Sequence, residues 1–94
     1  MPPVAINHVA IVVEDLEAAL AFWRDALGLP LTHTEDNATE AVRIAFLPLG
    51  GSEIELLEPT GEDSGIARYL AKRGPGMHHL CFEVEDIEAA MDRL

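Results

Sequence analysis

Basic residues are scarce in these 94 residues: 6 Lys and Arg stand against 17 Asp and Glu, for a formal charge of −11. A surface so acidic repels polyanions, which argues against nonspecific binding to nucleic acid or to an anionic membrane surface. Cysteine is scarcer still. Cys81 stands alone, so no intrachain disulfide can form, and a reducing cytoplasm is the expected setting. Inside an apolar strand-like run, Cys81 reads as a small core residue and not as a catalytic thiol. No uninterrupted apolar run approaches the roughly 20 residues of a membrane span. The opening Met1-Pro2-Pro3-Val4 lacks the basic start and apolar stretch of a secretory signal. Hydrophobic residues still make up 49% of the chain, enough for one globular domain with a modest core.

What the chain does have is a repeat. Asn7-His8-Val9-Ala10-Ile11-Val12-Val13-Glu14-Asp15-Leu16-Glu17-Ala18-Ala19-Leu20 returns 71 residues later as His78 to Met91. Seven of these fourteen positions are identical: His8/His79, Val13/Val84, Glu14/Glu85, Asp15/Asp86, Glu17/Glu88, Ala18/Ala89 and Ala19/Ala90. A repeat of this kind makes one structural unit the answer twice. Each copy carries a histidine at the head of a β-like run that passes into a helix.

In chain order, Ala5 to Val13 reads as a strand. Alternation places Ile6, His8, Ala10 and Val12 on one face and Asn7, Val9, Ile11 and Val13 on the other. Both faces are largely apolar, so the strand is expected to be central, with His8 on a mostly buried face. Asp15 is a good N-cap. Leu16, Ala19, Leu20, Trp23 and Leu27 recur at helical spacing, and Gly28 and Pro30 stop the helix. Short strands follow over Leu31 to Glu35, Glu40 to Leu49 and Ser52 to Glu58, with a turn at residues 36–39 and a tight hairpin at Gly50-Gly51. In the last strand Ile54 and Leu56 face one way, and Glu53, Glu55 and Leu57 the other. A connecting helix, capped by Asp63 or Ser64, presents Ile66, Tyr69 and Leu70 as its apolar face. Its Arg68, Lys72 and Arg73 form either a solvated face or a contact for an anionic substrate.

The pattern predicts an α+β chain of paired β-α-β-β-β modules. Residues 1–59 form the first module, 60–76 a helical connector, and 77–94 the start of a second. That second module is cut off after its first strand and part of its helix, so the chain is expected to be the front of a longer two-module protein or to be completed from elsewhere. If the modules pair about a pseudo-twofold axis, His8 and His79 approach one another there, with Glu55 on the last strand of module one. Two imidazoles and a carboxylate suit a divalent zinc, cobalt, manganese, nickel or ferrous ion. Taken singly, each is also an ordinary strand residue; their coincidence in the repeat is what favours a metal site. His78 is an alternative ligand, but only His79 matches His8. His33 has no partner by spacing.

The paired modules, Ile6-Asn7-His8-Val9-Ala10-Ile11-Val12-Val13 and Gly76-Met77-His78-His79-Leu80-Cys81-Phe82-Glu83-Val84, closely resemble the vicinal oxygen chelate (glyoxalase/bleomycin resistance/dioxygenase) superfamily. Within it, Ile54-Glu55-Leu56-Leu57-Glu58-Pro59, the helix from Gly65 to Lys72 and the His78-His79 doublet look most like the methylmalonyl-CoA epimerases. The resemblance implies His8, Glu55 and His79 as metal ligands. It also implies a fourth, glutamate ligand with an acid/base role beyond residue 94, so the 94-residue chain alone is expected to be inactive. A second proposed base falls at Arg43, which cannot accept a proton near neutrality. The implied activity is metal-dependent interconversion of the two epimers of an acyl-CoA thioester, methylmalonyl-CoA, through an enolate, in a homodimer. The alternatives are glyoxalase I, an extradiol dioxygenase or a ligand-binding member that needs no metal.

Overall fold

The computed structural model describes residues 2–94. Five strands form one sheet in the order β2-β3-β4-β1-β5. They are β1 (Ala5–Val12), β2 (His33–Asn37), β3 (Val42–Leu49), β4 (Ser52–Pro59) and β5 (Gly76–Glu83). Every neighbouring pair is antiparallel except β1 and β4, which run parallel. The expected central strand is central: β1 lies between the last strand of module one and the first strand of module two.

Three helices accompany the sheet: α1 (Leu16–Leu20), α2 (Gly65–Arg73) and α3 (Ile87–Asp92). Asp15 caps α1 by accepting from the amides of Glu17 and Ala18. Asp86 caps α3 identically through Glu88 and Ala89. Of the two candidates for the cap of α2, Ser64 does it, accepting from the amide of Ala67. Beyond Leu20 the first helix widens into a π-helical segment, Ala21–Ala26, in which the Leu27 amide donates five residues back to Phe22. The wider turn shifts the phase of the apolar stripe. Leu27, expected on the buried face, is therefore 54% exposed, while Leu16 and Leu20 are buried and Trp23 packs against them.

The sheet is covered on both faces. Val13, Leu16, Leu20, Ala45, Leu47, Ile54 and Leu56 form one core under α1. Ala10, Val12, Val42 and Leu57 form the other, closed by Ile66, Tyr69 and Leu70 of α2. The β2–β3 turn sits at residues 38–41, slightly later than its sequence suggests, because Ala41 takes the left-handed conformation (φ 51°) that ends it. Gly50 (φ 59°) makes the β3–β4 turn as expected.

The second module departs from the first in burial. Cys81 is half-buried and lies outside both cores, contrary to expectation. The cause is that β5 packs on β1 along one edge only. Met77, Leu80, Phe82, Ile87, Met91 and Leu94 remain exposed. Among the described residues no helix is long and apolar enough to cross a membrane.

Candidate metal centre

Strand pairing brings the three expected ligands to one face. Ala10 lies opposite Glu55 on β4 and opposite His79 on β5. His8 is two residues along β1 from Ala10, on the same side, so it is a diagonal neighbour of both. His8 Nδ1 lies 3.4 Å from Glu55 Oε2, and their side chains are 18% and 15% exposed. His8 Nε2 lies 3.1 Å from His79 Nε2, with the rings edge-to-face.

The environment shifts two of the three groups. Burial pushes the Glu55 carboxyl above its usual range; nearby His8 opposes this, and Glu53 and Glu35 reinforce it. Burial also holds His79 below the usual imidazole range, with His78 and His8 adding repulsion. That direction favours the neutral form, which carries a free lone pair for a cation.

The donor set can be tested against a metal. Two imidazole nitrogens bound to one ion at about 2.0–2.1 Å stand about 2.9–3.3 Å apart, from octahedral to tetrahedral angles. The Nε2 pair at 3.1 Å fits that span. Glu55 meets His8 on its other nitrogen, so among the described residues no three His, Cys, Asp or Glu side chains converge on one point. The pair fits, and Glu55 is the carboxylate next to it. The same histidines line a largely apolar cleft of about 810 Å³, together with Leu80, Phe82, Ile87, Met91 and Arg93.

Other residues from the sequence reading fall elsewhere. Arg43 does not reach the site. It lies opposite Glu58 and Asp36, its Nε donates to Asp36 at 2.7 Å, and Glu58 is 4.0 Å away. Glu58 in turn accepts from the Leu16 amide at the start of α1, on the opposite side of the sheet from the histidines. The β3 positions on the histidine side are Val42, Ile44, Phe46 and Pro48, so apolar groups stand where the resemblance implied a base. His33 stacks on Phe46 and meets Glu35 at 3.4 Å. Arg68 donates to the Asp63 carbonyl, and Arg73 lies over the Tyr69 ring. Sequence reasoning missed the side chains around the histidines: Asn7, which touches His8, Glu83, which holds Asn7, and Tyr69, which packs on His78. Asn7 and Tyr69 have partners that only the strand register and α2 packing reveal.

Comparison with known proteins places the chain in a family. Residues 7–94 match the model of the Glyoxalase/Bleomycin resistance protein/Dioxygenase superfamily. The chain is 50% identical over 90 residues to an ethylmalonyl-CoA/methylmalonyl-CoA epimerase of Cereibacter sphaeroides, covering 95% of this chain and 67% of that protein. It is 45% identical over 87 residues to the mitochondrial methylmalonyl-CoA epimerase of Homo sapiens, covering 92% of this chain and 49% of that one. It thus spans about two-thirds of the first relative and half of the second. A solved structure of a variant Streptomyces coelicolor methylmalonyl-CoA epimerase in complex with 2-nitronate-propionyl-CoA superposes with a TM-score of 0.84 at 38% identity. That match covers 98% of this chain and 68% of the other.

Proposed function

The chain belongs to the glyoxalase/bleomycin resistance protein/dioxygenase superfamily, and from that premise we propose that it serves a metal-dependent epimerase of methylmalonyl-CoA. The observation that carries the reading is the His8–His79 pair, 3.1 Å apart beside Glu55 and lining a largely apolar cleft. The substrate class follows from the relatives' names and from the acyl-CoA analogue held by the Streptomyces neighbour. A nitronate carbon is planar, as an enolate carbon is, which favours an enolate route.

His8, His79 and Glu55 would hold the divalent ion. When bound, the ion supplies a Lewis acid that stabilises charge developing on the thioester oxygen after the α-proton leaves. Inversion requires proton removal from one face of the carbon and delivery to the other. Val42, Ile44, Phe46 and Pro48 line β3 on the histidine side and can do neither. Arg43 is on the wrong side and its pKa is raised by the Asp36 hydrogen bond and charge. Proton transfer therefore falls to groups outside these β3 positions. A homodimer in a reducing cytoplasm is the inferred setting, consistent with one unpaired thiol.

The test is α-hydrogen exchange in deuterated water. The protein, extended to the length of its relatives and loaded with cobalt or manganese, is given methylmalonyl-CoA and followed by mass spectrometry. Metal-dependent exchange is expected, and His79→Ala should abolish it. Metal binding without exchange, together with turnover of methylglyoxal and glutathione, would replace the epimerase with a glyoxalase I activity, which Glu55 as a carboxylate ligand also suits.

A further inference from the structure

Asn7 and His78 occupy equivalent places in the repeat, each immediately before a candidate ligand. Both are also the unmatched residues of the β1–β5 ladder. Ile6 pairs with Phe82 and His8 with Cys81, leaving Asn7 over; Ala10 pairs with His79 and Ile11 with Met77, leaving His78 over. A bulge breaks the alternation of a strand and re-aims a side chain. Here each bulge residue is turned onto the histidine that follows. Asn7 Oδ1 lies 2.8 Å from His8 Nδ1, and His78 Nδ1 lies 2.8 Å from His79 Nδ1.

Glu83 sets the direction of the contacts. The Asn7 Nδ2 amide donates to Glu83 Oε1 at 3.0 Å, and a carboxylate can only accept. The amide oxygen of Asn7 must then face His8, so His8 carries its proton on Nδ1 and its lone pair on Nε2. That lone pair is aimed at His79 Nε2. Without an ion between them, His79 Nε2–H donates to His8 Nε2, and His78 Nδ1–H donates to His79 Nδ1. Tyr69 holds the far end: its hydroxyl donates to the Met77 carbonyl at 2.8 Å, and its ring meets His78 at 4.7 Å.

We propose that the paired bulges set the two imidazoles, and that Asn7, anchored by Glu83, is a positioning residue that holds His8 in the tautomer whose Nε2 accepts a cation. His78, in the equivalent bulge, orients the His79 ring by meeting it on Nδ1, which leaves His79 Nε2 facing His8. The inference rests on the metal-site reading above, but it is tested on the metal-free protein. Two-bond nitrogen–proton correlations distinguish the Nδ1–H and Nε2–H forms of a neutral histidine. In the wild type His8 is expected as Nδ1–H. Asn7→Leu should move it toward Nε2–H, and Glu83→Leu, which removes the anchor of the Asn7 amide, should shift it the same way but less. The backbone amide spectrum checks that both variants are folded. An Nε2–H His8 in the wild type, or an unchanged tautomer in folded Asn7→Leu, overturns the proposal. A cobalt titration separates the two readings: Asn7→Leu should weaken binding by about 10–100-fold, as loss of a ligand's outer partner does. A wild type that binds no cobalt yet switches tautomer in Asn7→Leu keeps the positioning role and removes the metal site.

Discussion

The two copies of the repeat fold alike and are buried unalike. Asp15 and Asp86 cap their helices with the same pair of contacts, and β1 and β5 are both eight-residue strands. Yet Leu16 is 4% exposed where its equivalent Ile87 is 64%, and Leu20 is 1% exposed where Met91 is 61%. Similar local sequence therefore fixes strand, cap and helix, while burial depends on what else packs there. β2, β3 and β4 complete the sheet around β1 and form the core under α1. Among the described residues β5 has only β1 beside it in the sheet.

That contrast can be broken most visibly at Leu20 and Met91. Leu20→Ala should cost about 2–5 kcal/mol, the range for a fully buried leucine. Met91→Ala should stay within about 0.5 kcal/mol, as exposed substitutions do. Denaturant midpoints at constant slope measure both, and equal losses would mean that α3 is packed in solution. The caps come next. Asp15→Ala should cost about 1 kcal/mol, because α1 closes a core. Asp86→Ala should lower global stability by only a few tenths of a kcal/mol, since α3 can fray alone. Amide exchange of the two helices reads the difference.

The smallest effects are in pH dependence, and they have opposite signs. Glu55 has a folded pKa raised by burial, so the native state binds more protons than the unfolded chain as pH rises from just below the carboxylate value, and stability falls across that window. His79 has a folded pKa lowered by burial, so the unfolded chain binds more protons just below 6.5 and stability rises with pH there. Glu55→Gln should remove the first slope and His79→Gln the second, in melts taken across pH 4 to 8. Retention of either slope would mean that other groups carry it.

Much of this architecture was legible in the chain because periodicity and caps are local. The α1 cap, the Gly50 turn, the central place of β1 and the common face of His8, Glu55 and His79 all follow from alternation, turn chemistry and the repeat. What failed was non-local or broke a period. The π-helical turn threw Leu27 outward. The depth of Cys81 depended on neighbours for β5. The side taken by Arg43 depended on where β3 begins to alternate, and Val42 fixes that by facing the core under α2. The two bulges were invisible because a one-residue surplus appears only when two strands are laid in register.

The parallel pairing of β1 and β4 has a kinetic consequence. The β3–β4 hairpin closes across Gly50 and Gly51, whereas β1 must find β4 across the intervening α1, β2 and β3, and β5 then reaches β1 through the α2 connector. Loop closure over such separations is slow and comes after the hairpins. His8 and His79 therefore meet in the final docking event. In a stopped-flow refolding experiment, Trp23, which packs against the core under α1, should reach its native fluorescence before the proposed His8–His79 site can take up cobalt.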